Sequence, residues 1–469
     1  MFLKRKYLVV LGLVVIFSSC SSSDFTDPND SRYDDLDDIV NVPSDVSLSV
    51  DATDVVNINS EIFGVNNDWR QIPNSTFPNF ANTLDNINYQ LVRYPGGWES
   101  EFYDWQSNST PGWDNTPSTP GASVETLKNN TNNYSIVIPT TKAMDRSVGS
   151  EQWNVAIEAL KALANEAIVS SNISDGIVEI GNEWWLQYAG GSDREEKLTK
   201  YVNIAMELAE YIEDEFPGHT FKLLINGDYT HPEEFTTMKS LFIRAYDAID
   251  GVALHTYVGY DSDTHNMADL EQRITDCANN FNPNNNYIYL SEWMPSRLYN
   301  DYALYMEAAN IIPDIIHIYA RAGANAGAYW PPINSSVPGL GITNWNYSKI
   351  FPVGQIFGEL SDSYRGKALK TTSDRFHLAA ALQDDETMVL FVTGGNQNSA
   401  KVGISVQGFD IDSIESVTRF VPADYSETNL AEPYLTETSE ATLNSNNEVV
   451  IEVNKEGKFQ IYKIILTGN

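Results

Sequence analysis

The stretch Ile177-Val178-Glu179-Ile180-Gly181-Asn182-Glu183-Trp184-Trp185 decides how the rest of the chain is read. An apolar run stops at a glycine and then presents Glu183 beside two indoles. This is the pattern of a short buried strand with a carboxyl group at its end. Burial beside aromatic rings favours the protonated form of a carboxyl, the state that a general acid requires.

The pattern recurs downstream. Asn286-Tyr287-Ile288-Tyr289-Leu290-Ser291-Glu292-Trp293 is again an apolar strand, a small residue, Glu and Trp. Two carboxyl groups at strand ends are the pair that retaining glycoside hydrolysis needs, one to protonate the leaving oxygen and one to attack the anomeric carbon. Tryptophans beside them suit the apolar faces of sugar rings.

Working outward, strand and helix patterns alternate. Strands are predicted over 61–66, 89–97, 134–139, 176–183, 221–228, 251–257, 287–293 and 324–330. Helices are predicted over 80–87, 124–130, 152–169, 195–216, 232–249, 269–280, 302–322 and 354–364. This is the signature of a (β/α)8 TIM barrel, here spanning 59–366. A doubly wound sheet is the rival, but no Gly-x-Gly-x-x-Gly follows the first strand. Beyond it, short alternating strands at 377–382, 387–393, 400–406, 414–421, 449–453 and 459–466 predict a C-terminal β-sandwich over 367–469. The strand at 46–58 has no neighbour of its own and is expected to join that sandwich.

The N-terminus is of another kind. Residues 1–19 combine a basic start, Lys4-Arg5-Lys6, with an apolar core and small residues, the form of a secretory signal. Phe17-Ser18-Ser19-Cys20 resembles a bacterial lipobox, which makes Cys20 the lipidated first residue and the signal peptide one of lipoprotein type. Residues 20–45, with Asp24, Asp27, Asp30, Asp34, Asp35, Asp37 and Asp38, read as a flexible acidic tether. The expected location is the cell envelope, lipid-anchored to a bacterial membrane, periplasmic or surface-exposed.

Composition agrees. The 469 residues carry a formal net charge of −35, which argues against nucleic acid and against adsorption to anionic lipid. Membrane contact is expected only through the anchor at Cys20. Aromatic residues make up 12%, with ten Trp and twenty-five Tyr. Two distant cysteines make no disulfide framework, and Cys277 reads as a small buried apolar residue. Six scattered histidines and no clustered cysteines predict neither metal nor cofactor.

In a barrel, the C-terminal strand ends converge on the active site. Strand two supplies Arg93, which can keep a carboxylate ionised and oriented. Trp98 follows it. Strand four supplies Asn182 and Glu183, with Trp184 behind. Asn182 can hydrogen-bond a sugar hydroxyl. Strand six supplies Tyr257, a donor to the nucleophile, and His255, which can hold a neighbour or the substrate. Strand seven supplies Glu292 and Trp293, and strand eight Trp330, a platform for a sugar ring. On this reading Glu183 has no cation partner, whereas Glu292 is offered Arg93 and Tyr257. Asp228 and His231 are further candidates for substrate contact.

Glu183 after Asn182, with Glu292 at strand seven, resembles the catalytic pair of glycoside hydrolase clan A. Val92-Arg93-Tyr94-Pro95-Gly96-Gly97 resembles the second-strand motif of family 51 α-L-arabinofuranosidases, and is similar to families 39, 79, 30 and 86. The resemblance covers 46–469. It implies Glu183 as acid/base, Glu292 as nucleophile, Arg93 and Tyr257 as its orienting groups, and Asn182 as a sugar ligand. The arabinofuranosidase motif continues with Asn, and this chain has Trp98 there. That departure, together with Trp105, Trp184 and Trp185, favours pyranose rings or an extended chain. The resulting expectation is a retaining hydrolase of a plant or algal polysaccharide or its oligosaccharides. The alternatives are an agarase- or porphyranase-like endo-hydrolase rather than an arabinofuranosidase- or xylosidase-like exo-enzyme, and a non-catalytic glycan-binding surface lipoprotein.

Overall fold

A computed structural model describes residues 46–468 except 112–116, 187–192, 260–266, 284, 297–304, 334–338, 340, 374–375, 395–399, 423–431, 445–446 and 454–458. The expected signal segment, Cys20 and the acidic tether lie outside the described residues.

After β1 (Val46–Asn57), eight short strands follow: β2 (Gly64–Asn66), β3 (Leu91–Tyr94), β4 (Tyr134–Ile138), β5 (Ile177–Ile180), β6 (Lys222–Asp228), β7 (Gly251–Val258), β8 (Tyr287–Pro295) and β9 (Ala326–Tyr329). They close in chain order into a parallel barrel, β9 pairing back onto β2. Helices α1 (Phe77–Asp85), α2 (Val124–Asn130), α3 (Glu151–Ser171), α4 (Arg194–Glu215), α5 (Pro232–Leu241), α6 (Leu270–Phe281), α7 (Tyr305–Arg321) and α8 (Pro352–Ser363) alternate with them. Local chemistry sets several starts. Ser123, Ser150 and Asp193 each accept a hydrogen bond from a first-turn amide of α2, α3 and α4. One helix is shorter than its sequence pattern. α5 ends at Leu241 rather than 249, and Ala245 takes a left-handed φ of 53°. Tyr246 thereby swings its hydroxyl onto the last carbonyls of α6, at Phe281 and Asn282, which the helix leaves unpaired.

The barrel interior is layered by the two-residue period of its strands. Leu91, Ile177, Leu224, Ala253, Tyr289, Ala326 and Ala328 form an apolar plug at the lower end. Two residues further along five of these strands stand Arg93, Glu179, Asn226, His255 and Ser291, all buried. The change from apolar to polar between those layers is where a floor ends and a site begins.

The remaining strands are β10 (Lys367–Thr372), β11 (His377–Leu382), β12 (Thr387–Thr393), β13 (Ala400–Gln407), β14 (Ile411–Val421), β15 (Leu435–Thr438), β16 (Ala441–Leu443), β17 (Glu448–Val453) and β18 (Ile461–Gly468). With β1 they form one ten-stranded sheet, ordered β15-β14-β18-β12-β11-β10-β1-β13-β17-β16. The sandwich is thus a single ladder curled around its own core of Val46, Leu48, Leu390, Ile404, Ile451 and Ile464 among others. β1 does join it, antiparallel to β10 and parallel to β13.

Helix α7 is wedged between barrel and sheet, which explains why nearly its whole circumference is buried. Its Arg321 donates to the Asp54 backbone and pairs with its carboxylate at 2.8 Å. Its Asn310 donates to the Gln460 carbonyl at 3.0 Å. Cys277 is fully buried in α6, as a small apolar residue would be.

Candidate active site

Two different backbone devices bring Glu183 and Glu292 together. β5 stops at Ile180, Gly181 takes φ 80°, and Glu183 itself takes φ 50°. A Cβ on Gly181 would also stand 2.9 Å from the Tyr201 ring. The left-handed turn at Glu183 is unfavourable for such a side chain and is clamped. The Glu183 amide donates to Asn226 Oδ1 at 2.7 Å, and the Asn182 amide donates to Glu101 Oε1 at 2.5 Å. Glu101 also accepts from the amides of Thr140 and Thr141.

Glu292 reaches the site through a bulge. Ala253 pairs with Tyr289, but His255 pairs with Glu292, so β8 spends one residue more than β7 over this interval. A second register shift faces β9 between Leu290 and Trp293. A bulge re-aims the side chains that follow it. Here Ser291 and Glu292 both turn into the barrel, and Trp293 turns out.

One carboxylate oxygen of Glu183 and one of Glu292 lie within 4.8 Å of each other, and a His255 ring nitrogen lies within the same distance of both. Glu292 has both oxygens held. Tyr257 donates to Oε1, and Arg93 Nη1 donates to Oε2 at 3.2 Å. Glu183 Oε1 faces His255 Nδ1 at 3.1 Å, and its other oxygen takes no hydrogen bond among the described residues. The expectation that Glu183 lacks a cation partner is therefore corrected. Burial pushes the His255 pKa down, but Glu292, Glu179 and Glu183 outweigh it and lift it to about 9. His255 is thus an imidazolium between the two carboxyl groups, not a surface offered to substrate. At Glu292, burial pushes the carboxyl above its ordinary range, the Glu183 charge adds to this, and His255, Arg93 and Tyr257 pull the other way.

Beneath the pair is a residue the sequence reading passed over. Glu179 is completely buried and forms the shorter of the two Arg93 ion pairs, accepting from Nε at 2.7 Å. It also accepts from Asn226 Nδ2 at 2.8 Å and Ser291 Oγ at 3.0 Å. Burial alone would raise its pKa, but Arg93 and His255 reverse that and hold it at about 2. Arg93 further donates to Asn66 Oδ1 at 3.0 Å and Asn182 Oδ1 at 2.7 Å. The Asn182 carbonyl oxygen, expected to face a sugar hydroxyl, is thus given to Arg93. A charged residue inside an apolar strand, two positions after inward-facing Ile177, was the available signal for Glu179.

The tryptophans divide. Trp184 is fully buried, stacked on Tyr201 at 5.5 Å and donating to the Asn226 carbonyl at 3.0 Å. Trp293 is fully buried against Tyr319, Tyr329 and Phe357. Neither binds substrate from such a position, which corrects the expectation for both. The left-handed turn tucks Trp184 under α4, and the bulge turns Trp293 towards α7 and α8. Trp105 is likewise core, donating to the Val137 carbonyl at 3.2 Å. Half-buried Trp185 meets the His255 ring edge-on at 5.9 Å. Trp98 and Trp330 are half-buried at the same mouth. Asp228 is committed elsewhere, paired with Arg194 at 2.8 Å and with His231 at 3.2 Å.

Glu183, His255 and Glu292 also make a donor set of metal-site dimensions. Two features disfavour that use: the imidazole is protonated, and both Glu292 oxygens already accept hydrogen bonds.

No family model matches the sequence, and no curated protein matches it. Solved structures do match its fold. An α-L-arabinofuranosidase from Thermotoga maritima, in an arabinose complex, superposes with TM-score 0.62 at 14% identity, over 90% of this chain and 99% of the other. A family 51 α-L-arabinofuranosidase from Thermotoga petrophila gives TM-score 0.64 at 14% identity, over 89% and 99%. A family 44 xyloglucanase from Paenibacillus polymyxa gives TM-score 0.57 at 12% identity, over 91% and 100%. The chain thus has the barrel-and-sheet fold of family 51 arabinofuranosidases and of a family 44 xyloglucanase, the fold to which its Arg93-Tyr94-Pro95-Gly96-Gly97 motif pointed.

Proposed function

We propose that this protein is a retaining glycoside hydrolase acting on a plant or algal polysaccharide or its oligosaccharides. The observation that carries the reading is the Glu183–Glu292 pair, one oxygen of each within 4.8 Å at the C-terminal end of the barrel and held in unlike surroundings. Retaining enzymes place their carboxyl groups about 5–5.5 Å apart, whereas inverting ones leave about 6.5–9.5 Å for a water.

Glu292, with both oxygens fixed by Tyr257 and Arg93, attacks the anomeric carbon as the glycosidic bond breaks. Glu183, with one oxygen free of partners among the described residues, gives its proton to the leaving oxygen. The result is a glycosyl ester on Glu292. Glu183 then takes a proton from water, which displaces Glu292 and restores the original anomer. His255 stabilises negative charge on either carboxyl group as the proton moves. Trp185, Trp98 and Trp330 supply the ring-stacking surfaces. The chain is delivered to the envelope by its N-terminal signal and anchored through Cys20, which labelling with radioactive palmitate, followed by a Cys20→Ser control, tests directly.

The activity test is hydrolysis of plant and algal polysaccharides and aryl glycosides by wild type, Glu183→Ala and Glu292→Ala, with azide added. Cleavage of one glycan, with azide rescue of the two variants to products of opposite anomeric form, is the expected result. Binding of a glycan with no cleavage by wild type would replace this reading with that of a glycan-binding lipoprotein.

A further inference from the structure

Glu99 has no part in the mechanism above, yet it is an unusual residue. It is only 4% exposed, and among the described residues no hydrogen bond reaches its carboxyl group beyond that of its own backbone amide. A carboxyl so enclosed, with hydrogen-bonding capacity left to fill, is suited to receive a ligand hydroxyl.

Its surroundings favour that use. Gly97, at φ 61°, has space for no side chain, because a Cβ there would stand 2.5 Å from Trp330 Cη2 and 3.1 Å from Glu99 Oε2. Backbone, indole and carboxyl therefore meet at one point. Trp330 directly follows the eighth barrel strand, β9, and is half-buried. Glu99 is also near enough to Glu292 for the charge of that carboxylate to act on it. An aromatic ring with a hydrogen-bonding group beside it, next to a nucleophile, is the makeup of a sugar subsite.

We infer that Glu99 and Trp330 together form a subsite for an uncharged sugar ring, Trp330 stacking on its face and Glu99 reading one of its hydroxyl groups. This rests on the hydrolase reading and names a specificity residue within it. The charged groups acting on Glu99 are Asp68, Arg70 and Glu292. Burial, and then Asp68, raise its pKa to about 8. At neutral pH it is thus a protonated carboxyl, both donor and acceptor, like the sugar hydroxyl it meets. A ring substituent bearing carboxylate or sulfate would instead face Asp68 and Glu292 as like charges.

The test uses the full chain and 4-nitrophenyl β-D-galactoside, β-D-glucoside, β-D-xyloside and α-L-arabinofuranoside, then the monodeoxy series of the one cleaved. Glu99→Ala is expected to lower kcat/KM about 10- to 100-fold, mostly through KM, with Glu99→Gln within about threefold of wild type because the amide also donates and accepts. One deoxy position should lose a similar factor in wild type and almost nothing in Glu99→Ala. Equal losses for that position in wild type and Glu99→Ala would overturn the assignment. So would unchanged KM in both variants while wild type is active. Inactivity of wild type on these glycosides and on the plant and algal polysaccharides above, with Glu183→Ala and Glu292→Ala indistinguishable from it, strikes the hydrolase reading itself.

Discussion

The ends of β5 and β8 are nearly the same word in sequence and different structures in space. Each is an apolar strand followed by Glu and Trp. At β5 the strand has finished, and Glu183 is aimed by a left-handed turn that Asn226 and Glu101 clamp from outside. At β8 the strand continues, and Glu292 is aimed by a bulge within the ladder. The first device leaves Glu183 with one oxygen unclaimed among the described residues, and the second delivers Glu292 into the grip of Tyr257 and Arg93. An acid/base must exchange its proton with a leaving group and with water, whereas a nucleophile must be held on line. On the roles proposed above, the two backbone solutions match the two tasks.

The strongest way to break the comparison is to remove each carboxyl in turn. Glu292→Ala should lower kcat by about 10,000-fold or more on every substrate. Glu183→Ala should lose about 100- to 10,000-fold on glycosides with poor leaving groups and far less on 2,4-dinitrophenyl glycosides, which need no proton. Equal losses across leaving groups would mean that the two residues do not divide the work.

A charge change beneath both ends comes next. Glu179→Ala strands Arg93 and should destabilise the fold by about 3–5 kcal/mol, read by chemical denaturation at pH 7. Glu179 is depressed to about 2, so its stabilisation is complete above the ordinary carboxylate pKa and is lost as pH falls towards 2. The stability gap between wild type and variant should therefore be flat from pH 7 to 5 and narrow below about pH 4. His255 carries the opposite sign. Its raised pKa makes its contribution complete below about 6.5 and lost as pH rises through about 9, so a His255→Gln variant should lose the alkaline part of the wild-type fall in Tm.

Asn226→Ala sharpens the comparison, because it removes the clamp on the β5 turn while leaving the bulge intact. A loss in kcat of up to about 100-fold is expected, with azide rescue of the Glu292→Ala background reduced by a similar factor. The smallest effects separate the tryptophans. Trp185→Ala should raise KM several-fold with Tm nearly unchanged, and Trp184→Phe should lower Tm with KM nearly unchanged, as judged by steady-state kinetics and thermal melts.

The alternation of strands and helices was plain in the sequence because barrel strands are buried on both sides and their helices carry apolar stripes, three of them behind a Ser or Asp cap. The strands β10, β15 and β16 were not, since their residues are largely exposed and have little apolar alternation. At the site, residues at strand ends were readable. Residues deeper in the barrel, such as Glu179 and Asn226, were missed because attention to strand ends overlooks the layer below. The fates of Trp184 and Trp293 were beyond a linear reading. Both depend on a φ angle and a register shift that no residue pattern here announces.

One feature has consequences for the making of the molecule. β1 lies in the middle of the C-terminal sheet, between β10 and β13, and its Val46–Asp51 segment pairs with Val402–Gln407. During synthesis this first strand must wait, unpaired, until nearly the entire barrel has left the ribosome. Closing so long a loop is slow, and an idle apolar strand is an invitation to wrong partners. Its residues alternate, with Val46, Leu48 and Val50 buried and the intervening Ser47 and Ser49 polar, so that only one edge of its surface is sticky while it waits. Once paired, β1 ties a strand that precedes the barrel to β10 and β13, which follow it.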